Sequence, residues 1–142
     1  VSPKVIEQIA SGVCLHRESV NTACEVVDIA NSLNPNIVKV VRDFQKKALY
    51  FSRSRIPWMS SGEQLNAPIR FLKHIGIYGY SLGLLKNFVA SKTSPAEQSE
   101  RLEQLRFLHF GIPVIVHDAV DACGVGIDTL EDYQEACAKF EK

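Results

Sequence analysis

FLKHIGIYGYS (71–81) is the stretch that decides the fold, because it is largely apolar along its length. Such a run is typical of a strand that is buried on both faces of a sheet. Side chains alternate between the two faces of a strand, so His74, Tyr78 and Tyr80 are predicted to project from one side. The two glycines, Gly76 and Gly79, indicate places where another backbone or a ligand comes close.

Strands and helices alternate on both sides of this stretch. Further strands are predicted at 21–28, 37–43, 47–53 and 112–119, and helices at 3–12, 82–91, 94–111 and 128–140. The apolar residues of 21–28 also keep helical spacing, so a helix there is the alternative. The short gap between 37–43 and 47–53 favours an antiparallel hairpin. The alternation predicts an α/β protein with a mixed sheet flanked by helices.

The helix predicted at 94–111, SPAEQSERLEQLRFLHFG, has clear end signals. Ser94 suits the N-cap, Pro95 the first helical position, Glu97 a capping box, and Gly111 a left-handed end. On a continuous helix, one face carries Leu102, Leu105 and Leu108, whereas Glu103 shares the other with Phe107 and Phe110. That mixed face indicates either a pocket or a subunit contact; the alternative is a second layer of the core in which the phenylalanines pack and Glu103 reaches solvent.

The composition excludes several classes of function. The chain has 142 residues, 46% of them hydrophobic, with 16 basic and 16 acidic side chains and no net charge. This composition is ordinary for a globular domain. The balanced charge gives no reason to expect nucleic acid or anionic lipid as a partner. The sequence contains no apolar segment long enough to span a membrane. The four cysteines, at 14, 24, 123 and 137, lack zinc-site spacing and are predicted to be free thiols of a reducing cytosol; a metal cluster or disulfides are the alternative.

Several polar residues could perform chemistry, although each has a structural explanation. They are Arg53 and Arg55 after one strand, His74, Tyr78 and Tyr80 on another, Glu103 and Gln104 side by side, and Asp128 before the last helix. A strand histidine is often a hydrogen-bonded structural residue, and Asp128 with Glu131 suits a capping box. These patterns alone predict an α/β domain with a polar pocket.

Five segments together give a more specific indication. NPNIVKVVRD, KALYFSRSRIPW, LKHIGIYGY, SPAEQSERLEQLR and GVGIDTLEDYQEA occur in this order. The sequence thereby resembles the later part of 3-deoxy-manno-octulosonate (Kdo) cytidylyltransferases. The family's CTP phosphate loop and Asp-Glu-Pro motif do not occur in it. The resemblance implies a nucleotide-diphospho-sugar transferase-like fold whose N-terminal nucleotide-binding part is missing, so that 1–142 form a single partial domain for sugar binding and dimerisation.

The resemblance also implies a reaction. The anomeric hydroxyl of Kdo attacks the α-phosphorus of CTP, giving CMP-Kdo and pyrophosphate for lipopolysaccharide biosynthesis in the cytoplasm. Asp128 is implied as a catalytic residue that binds Mg²⁺. The residues implied to line the sugar pocket are Arg53, His74, Tyr78, Glu103 and Gln104.

Two departures from the family pattern are visible. Met59 and Ser60 follow Trp58 where the family has aspartate and arginine, and the metal motif reads GIDTLED without its proline. The complete enzyme is expected to be a homodimer, and this chain alone is expected to be inactive. The alternative is a non-catalytic dimerisation or binding module derived from the same family.

Overall fold

A computed structural model describes residues 1–59 and 70–122, together with 133, 134 and 137. Within these residues a five-stranded sheet carries helices on both faces. The elements are α1 (Pro3–Leu15), β1 (Val20–Val27), α2 (Ile29–Ser32), β2 (Lys39–Arg42), β3 (Ala48–Ser52), β4 (Phe71–Gly79), α3 (Leu82–Ala90), α4 (Pro95–Glu100), α5 (Leu105–His109) and β5 (Val114–Asp118). The predicted α/β class with a mixed sheet is confirmed.

The sheet places β4 at its centre, in the order β3-β2-β4-β1-β5. β1 and β5 run parallel, whereas the β1–β4, β2–β4 and β2–β3 pairs are antiparallel. The predicted hairpin is therefore confirmed as β2–β3. Residues 21–28 lie mostly in β1, so the alternative of a helix there is wrong. Pairing with strands on both sides outweighs the helical spacing of a few apolar residues.

One face of the sheet is covered by α1. Val5 and Ile9 of this helix pack with Ala23 of β1 and Ile75 of β4 in a small buried cluster. Ile6, an apolar residue of the same helix, does not belong to this cluster and is 52% exposed.

The helix also runs past Gly12, which was predicted to end it. A Cβ at Gly12 would lie 2.7 Å from Oδ1 of Asn21 and 2.9 Å from Nε2 of His117. Close packing on the sheet therefore explains this glycine.

The opposite face carries the larger core. Buried side chains of four strands pack there against the α4–α5 segment, with Leu102, Leu105 and Phe107 inserted among them. Leu108 is partly buried beside them, so the predicted leucine face does contact the core. β4 contributes Ile75 to the cluster under α1 and the partly buried Leu72 and Tyr78 to this larger core, so both of its faces contact apolar side chains.

The single helix predicted over 94–111 is wrong, because Arg101 divides it into α4 and α5. The predicted start is confirmed: Ser94 and Glu97 form a reciprocal capping box, and Gly111 has a positive φ of 70°. Arg101, however, has a φ of 54°, the left-handed conformation that non-glycine residues rarely adopt. Arginine gives no sequence signal for such a turn, so the helical period appeared unbroken.

Some predictions fall outside the described residues. Asp128 and most of the closing helix predicted over 128–140 lie there, as does Cys123. Among the described cysteines, Cys14, Cys24 and Cys137 are free. Burial raises the pKa of the Cys24 thiol to about 11, so this cysteine remains a protonated core residue.

Candidate functional site

An open cavity of about 250 Å³, lined by both polar and apolar residues, lies between β4 and the turn that joins α4 to α5. We refer to it as the β4 cavity, and its lining residues are Val38, His74, Gly76, Tyr78, Arg101, Leu102, Glu103 and Gln104. Three separate segments of sequence form it: Val38 just before β2, the largely apolar strand β4, and the segment that was predicted to be one helix. Four of the five residues predicted for the sugar pocket line this cavity together.

The strand side of the cavity follows from the alternation of β4. The imidazole of His74 and the ring of Tyr78 lie on the same face with centroids 5.3 Å apart. Gly76 lies between them, where the register of β4 against β1 shifts between Thr22 and Ala23. A Cβ added at Gly76 would meet no atom within 4 Å. This glycine therefore leaves open space inside the cavity.

The turn side of the cavity is held by an ion pair between Glu97 and Arg106. Nε of Arg106 donates to Oε2 of Glu97 at 2.8 Å, and a second guanidinium nitrogen donates to Oε1. The guanidinium also lies 4.2 Å from the ring centroid of Phe88. These hydrogen bonds lower the pKa of Glu97. The paired groups fix α4 against α5, and with them the intervening residues Arg101–Gln104.

Arg53 does not line the β4 cavity. Its Nε donates to the carbonyl oxygen of Glu100 at 3.0 Å, and Nη1 donates to that of Pro35 at 3.2 Å. The Glu100 carboxylate in turn accepts from the hydroxyl of Ser52 at 2.6 Å and from the backbone N–H of Arg53 at 2.9 Å. In this structure Arg53 therefore links the end of β3 to the end of α4, next to the turn.

The predicted grouping of Glu103 with Phe107 and Phe110 is wrong. Glu103 faces the β4 cavity, whereas the two phenylalanines line a second cavity of about 240 Å³ with Phe88 and Arg106. Phe88 and Phe107 are stacked there, with ring centroids 4.5 Å apart. The left-handed turn at Arg101 separates the carboxylate from the aromatic rings, because it changes the direction of the chain just before Glu103.

Burial sets the protonation of the two aromatic residues in the β4 cavity. It lowers the pKa of His74 to about 4, so the imidazole is neutral near pH 7. Burial also raises the pKa of Tyr78, and the nearby Glu103 carboxylate adds to this effect. The phenol is therefore protonated. The cavity offers a neutral imidazole, a phenol, a carboxylate, an amide and one guanidinium, the groups that bind hydroxyls and carboxylates.

Sequence reasoning missed two residues of this site. Arg101 provides a cationic side chain in the lining of the cavity. In the sequence it lies on a predicted helix, where an arginine is expected to be solvated. Thr22 lies beneath the cavity, and its Oγ1 is 2.9 Å from Nε2 of His74. Neither position carries a sequence signal, because both depend on contacts between segments far apart in the chain.

Residues 1–59 and 70–122 and the few described beyond them contain no group of three histidine, cysteine, aspartate or glutamate side chains placed to hold a metal. None of the helices in the same residues is long and apolar enough to cross a membrane. Asp128, the residue implied to bind Mg²⁺, lies outside this part of the chain.

A mixed five-stranded sheet with helices on both faces and a cavity beside its central strand defines an α/β protein. The particular family follows from comparison with known proteins. The family model described as cytidylyltransferase matches residues 1–114, and the chain belongs to this family.

The chain is similar to 3-deoxy-manno-octulosonate cytidylyltransferases. It is 42% identical to that of Erwinia tasmaniensis over 142 residues, which cover 97% of this chain and 57% of the relative. It is also 42% identical to that of Herminiimonas arsenicoxydans over 137 residues, covering 93% and 55%. The chain thus spans little more than half the length of these relatives.

A solved structure shows the same fold. The structure of CMP:2-keto-3-deoxy-manno-octonic acid synthetase complexed with CTP superimposes with a TM-score of 0.87 and 35% sequence identity. The match covers 99% of this chain and 57% of that one. The predicted nucleotide-diphospho-sugar transferase-like fold is confirmed by this likeness.

Proposed function

We propose that this chain is the sugar-binding portion of an enzyme that activates 3-deoxy-manno-octulosonate with CTP. In the complete protein, the anomeric hydroxyl of the sugar acid attacks the α-phosphorus of CTP, a phosphorus–oxygen bond to the leaving group breaks, and pyrophosphate departs. The product, CMP-Kdo, serves lipopolysaccharide biosynthesis in the cytoplasm. The relatives of this chain are named for that reaction.

One observation supports the proposal above the others: His74, Tyr78, Glu103 and Gln104 meet in the β4 cavity. They come from segments about 30 residues apart, and a resemblance of sequence alone does not require them to converge. A sugar needs paired donors and acceptors, because an unsatisfied buried polar group costs roughly 1–3 kcal/mol. The cavity supplies both kinds of group.

The proposed roles follow from the chemistry of each side chain. Arg101 provides a positive charge in the lining of the cavity and is assigned to the carboxylate of the sugar acid. Glu103 accepts hydrogen bonds from sugar hydroxyls, while the amide of Gln104 can both donate and accept. Gln104 is only 3% exposed, so its amide is held in place before the ligand arrives.

Magnesium and CTP are proposed to act together at Asp128. Mg²⁺ prefers oxygen ligands, particularly one or two carboxylates together with substrate phosphates, so the carboxylate of Asp128 fits this ion. When bound, the ion offsets negative charge on the phosphates of CTP. The contribution of the chain's described residues is to bind and orient the sugar hydroxyl.

The remaining proposals concern the whole protein. We expect no CTP turnover from the 142-residue chain alone, because the phosphate loop of the family does not occur in its sequence. We also propose a homodimer, which the exposed apolar side chains Phe44 and Leu49 of the β2–β3 hairpin favour; they are 93% and 62% exposed. Light scattering gives the oligomeric state directly.

Calorimetric titration with 3-deoxy-manno-octulosonate tests the sugar site. Glu103 is exposed and its change to Gln preserves shape, so Glu103→Gln should leave the melting temperature nearly unchanged. The loss of a charge-assisted hydrogen bond should weaken sugar binding about 10- to 100-fold. Glu7→Gln, an exposed change on α1, is the matched control and should bind like the wild type.

The titration also separates the enzyme from its alternative. A folded wild-type chain that does not bind the sugar acid contradicts the proposed site and favours a non-catalytic module of the same family. Equal sugar affinity in wild type and Glu103→Gln would contradict the role of Glu103.

A further inference from the structure

The hydroxyl of Thr22 makes an unusual set of contacts beneath the β4 cavity. Its Oγ1 lies 2.7 Å from the carbonyl oxygen of Ile77, 3.1 Å from that of Ile75 and 2.9 Å from Nε2 of His74. Thr22 is fully buried, and it pairs with Tyr78 at the point where the β1–β4 register shifts. No water is needed to explain any of the three contacts.

Proton counting fixes the direction of these hydrogen bonds. A hydroxyl has one proton, and both carbonyl oxygens can only accept. If the hydroxyl donated to Nε2, two carbonyl oxygens would face its lone pairs at hydrogen-bond distance with no proton between them. The hydroxyl therefore donates to a carbonyl, and Nε2 of His74 carries the proton that Thr22 accepts.

The second nitrogen of the ring is then an acceptor. His74 is neutral near pH 7, so only one ring nitrogen is protonated. With Nε2 protonated, Nδ1 has a free lone pair, and in the described part of the chain it has no hydrogen-bond partner. The ring lines the β4 cavity and is held between Phe51, at a centroid distance of 5.0 Å, and Tyr78.

We propose that Thr22 is a positioning residue that holds His74 with its proton on Nε2, so that Nδ1 accepts a hydrogen bond from a hydroxyl of the bound sugar. This inference rests on the proposed function. It assigns His74 to a hydroxyl and not to the carboxylate, because a lone pair repels a carboxylate oxygen. In the β4 cavity, Nδ1 of His74 and the carboxylate of Glu103 then accept hydrogen bonds from sugar hydroxyls. Arg101 binds the carboxylate of the sugar acid.

Nitrogen NMR of the histidine rings in the full chain tests the tautomer without any ligand. A protonated and an unprotonated ring nitrogen have well-separated chemical shifts. We expect wild type and Thr22→Ser, which keeps the hydroxyl, to have His74 protonated at Nε2. Thr22→Val, which lacks it, should show a shift of population towards the Nδ1-protonated form. Wild-type His74 protonated at Nδ1, or a tautomer unchanged in Thr22→Val, would overturn the proposal.

Addition of 3-deoxy-manno-octulosonate tests the second part. The Nδ1 resonance of wild type should move as it accepts a hydrogen bond, and Thr22→Val should bind the sugar about tenfold more weakly, while Thr22→Ser restores affinity. Sugar binding with an unchanged Nδ1 resonance would overturn the proposal even if Thr22→Val failed to fold. Absence of any sugar binding, with the tautomer as expected, would instead be a failure of the proposed function.

Discussion

The two faces of β4 differ most clearly at its two glycines. Gly79 faces α1, and a Cβ there would lie 2.6 Å from Cγ2 of Val13 and 2.7 Å from Cγ2 of Ile9. Gly76 faces the β4 cavity, and a Cβ there would meet nothing within 4 Å. From the sequence, another backbone or a ligand was predicted to come close to both glycines. Only Gly79 is closely contacted by other atoms of the protein.

The difference separates a closely packed face of β4 from a face that is open at Gly76. On the α1 face, Val5, Ile9, Ala23 and Ile75 form a buried apolar cluster, and a methyl group added at Gly79 would collide with the helix. The cavity face holds His74, Tyr78 and an empty position between them. Protein cores are close-packed, so unfilled space beside buried polar side chains is typical of a ligand-binding site. Three predictions on β4 test this comparison.

The largest expected effect is the fall in the free energy of unfolding at low pH that His74 causes. Its pKa is lowered from 6.5 to about 4 in the folded state, so below pH 6.5 the unfolded chain binds a proton that the folded chain does not. Stability from this group is complete above pH 6.5 and is lost as the pH falls towards 4, by about 3 kcal/mol. Chemical unfolding at several pH values measures the loss. The His74→Gln variant has no titrating group at this position, so between pH 6.5 and 4 its free energy of unfolding should fall by about 3 kcal/mol less than that of the wild type. If the two proteins lose stability in parallel over this range, His74 is not a buried neutral imidazole.

The second effect concerns the packed glycine. Gly79→Ala forces its methyl group against Val13 and Ile9, and overpacking of this kind costs about 1–3 kcal/mol. The melting temperature should fall, while sugar affinity changes little because the substitution lies on the α1 face. Adding Val13→Ala, which removes one of the clashing methyl groups, should recover part of the loss. A Gly79→Ala variant as stable as the wild type would show that α1 can move away without cost.

The smallest effect on stability is expected at the cavity glycine. Gly76 has open space around its Cβ position, and among the described glycines only Gly111 has a positive φ, so Gly76→Ala should change the free energy of unfolding by no more than about 0.5 kcal/mol. The added methyl group occupies part of the cavity, so sugar affinity should fall, and fall further in Gly76→Val. Thermal unfolding and titration of the same samples measure both quantities. A loss of stability equal to that of Gly79→Ala would remove the distinction between the two faces.

Local signals predicted the elements well where each residue acts through its own neighbours. The capping box of Ser94 and Glu97, the turn glycine Gly111 and the placement of His74 and Tyr78 on one face of β4 all depend on residues a few positions apart, and all are present. The division of the predicted helix at Arg101 was missed, since it depends on contacts of Glu97 with Arg106 and of Glu100 with the end of β3.

The candidate site shows the same division. Alternation alone placed His74 and Tyr78 on one face, and adjacency placed Glu103 beside Gln104. Their meeting in one cavity, the inclusion of Arg101 and the separate position of Arg53 could not be predicted from spacing. Thr22 is the clearest case, since its contact with His74 joins residues 52 positions apart.

The sequence by itself determined the α/β class, the strands and the residue types available for binding, because periodicity, capping and side-chain chemistry are local properties. The tertiary structure alone decided which polar groups share a cavity, which glycine is packed and which is open, and which side chain contacts Nε2 of His74. Those features depend on distances between atoms of separate segments, and only the packing of the sheet against its helices sets such distances.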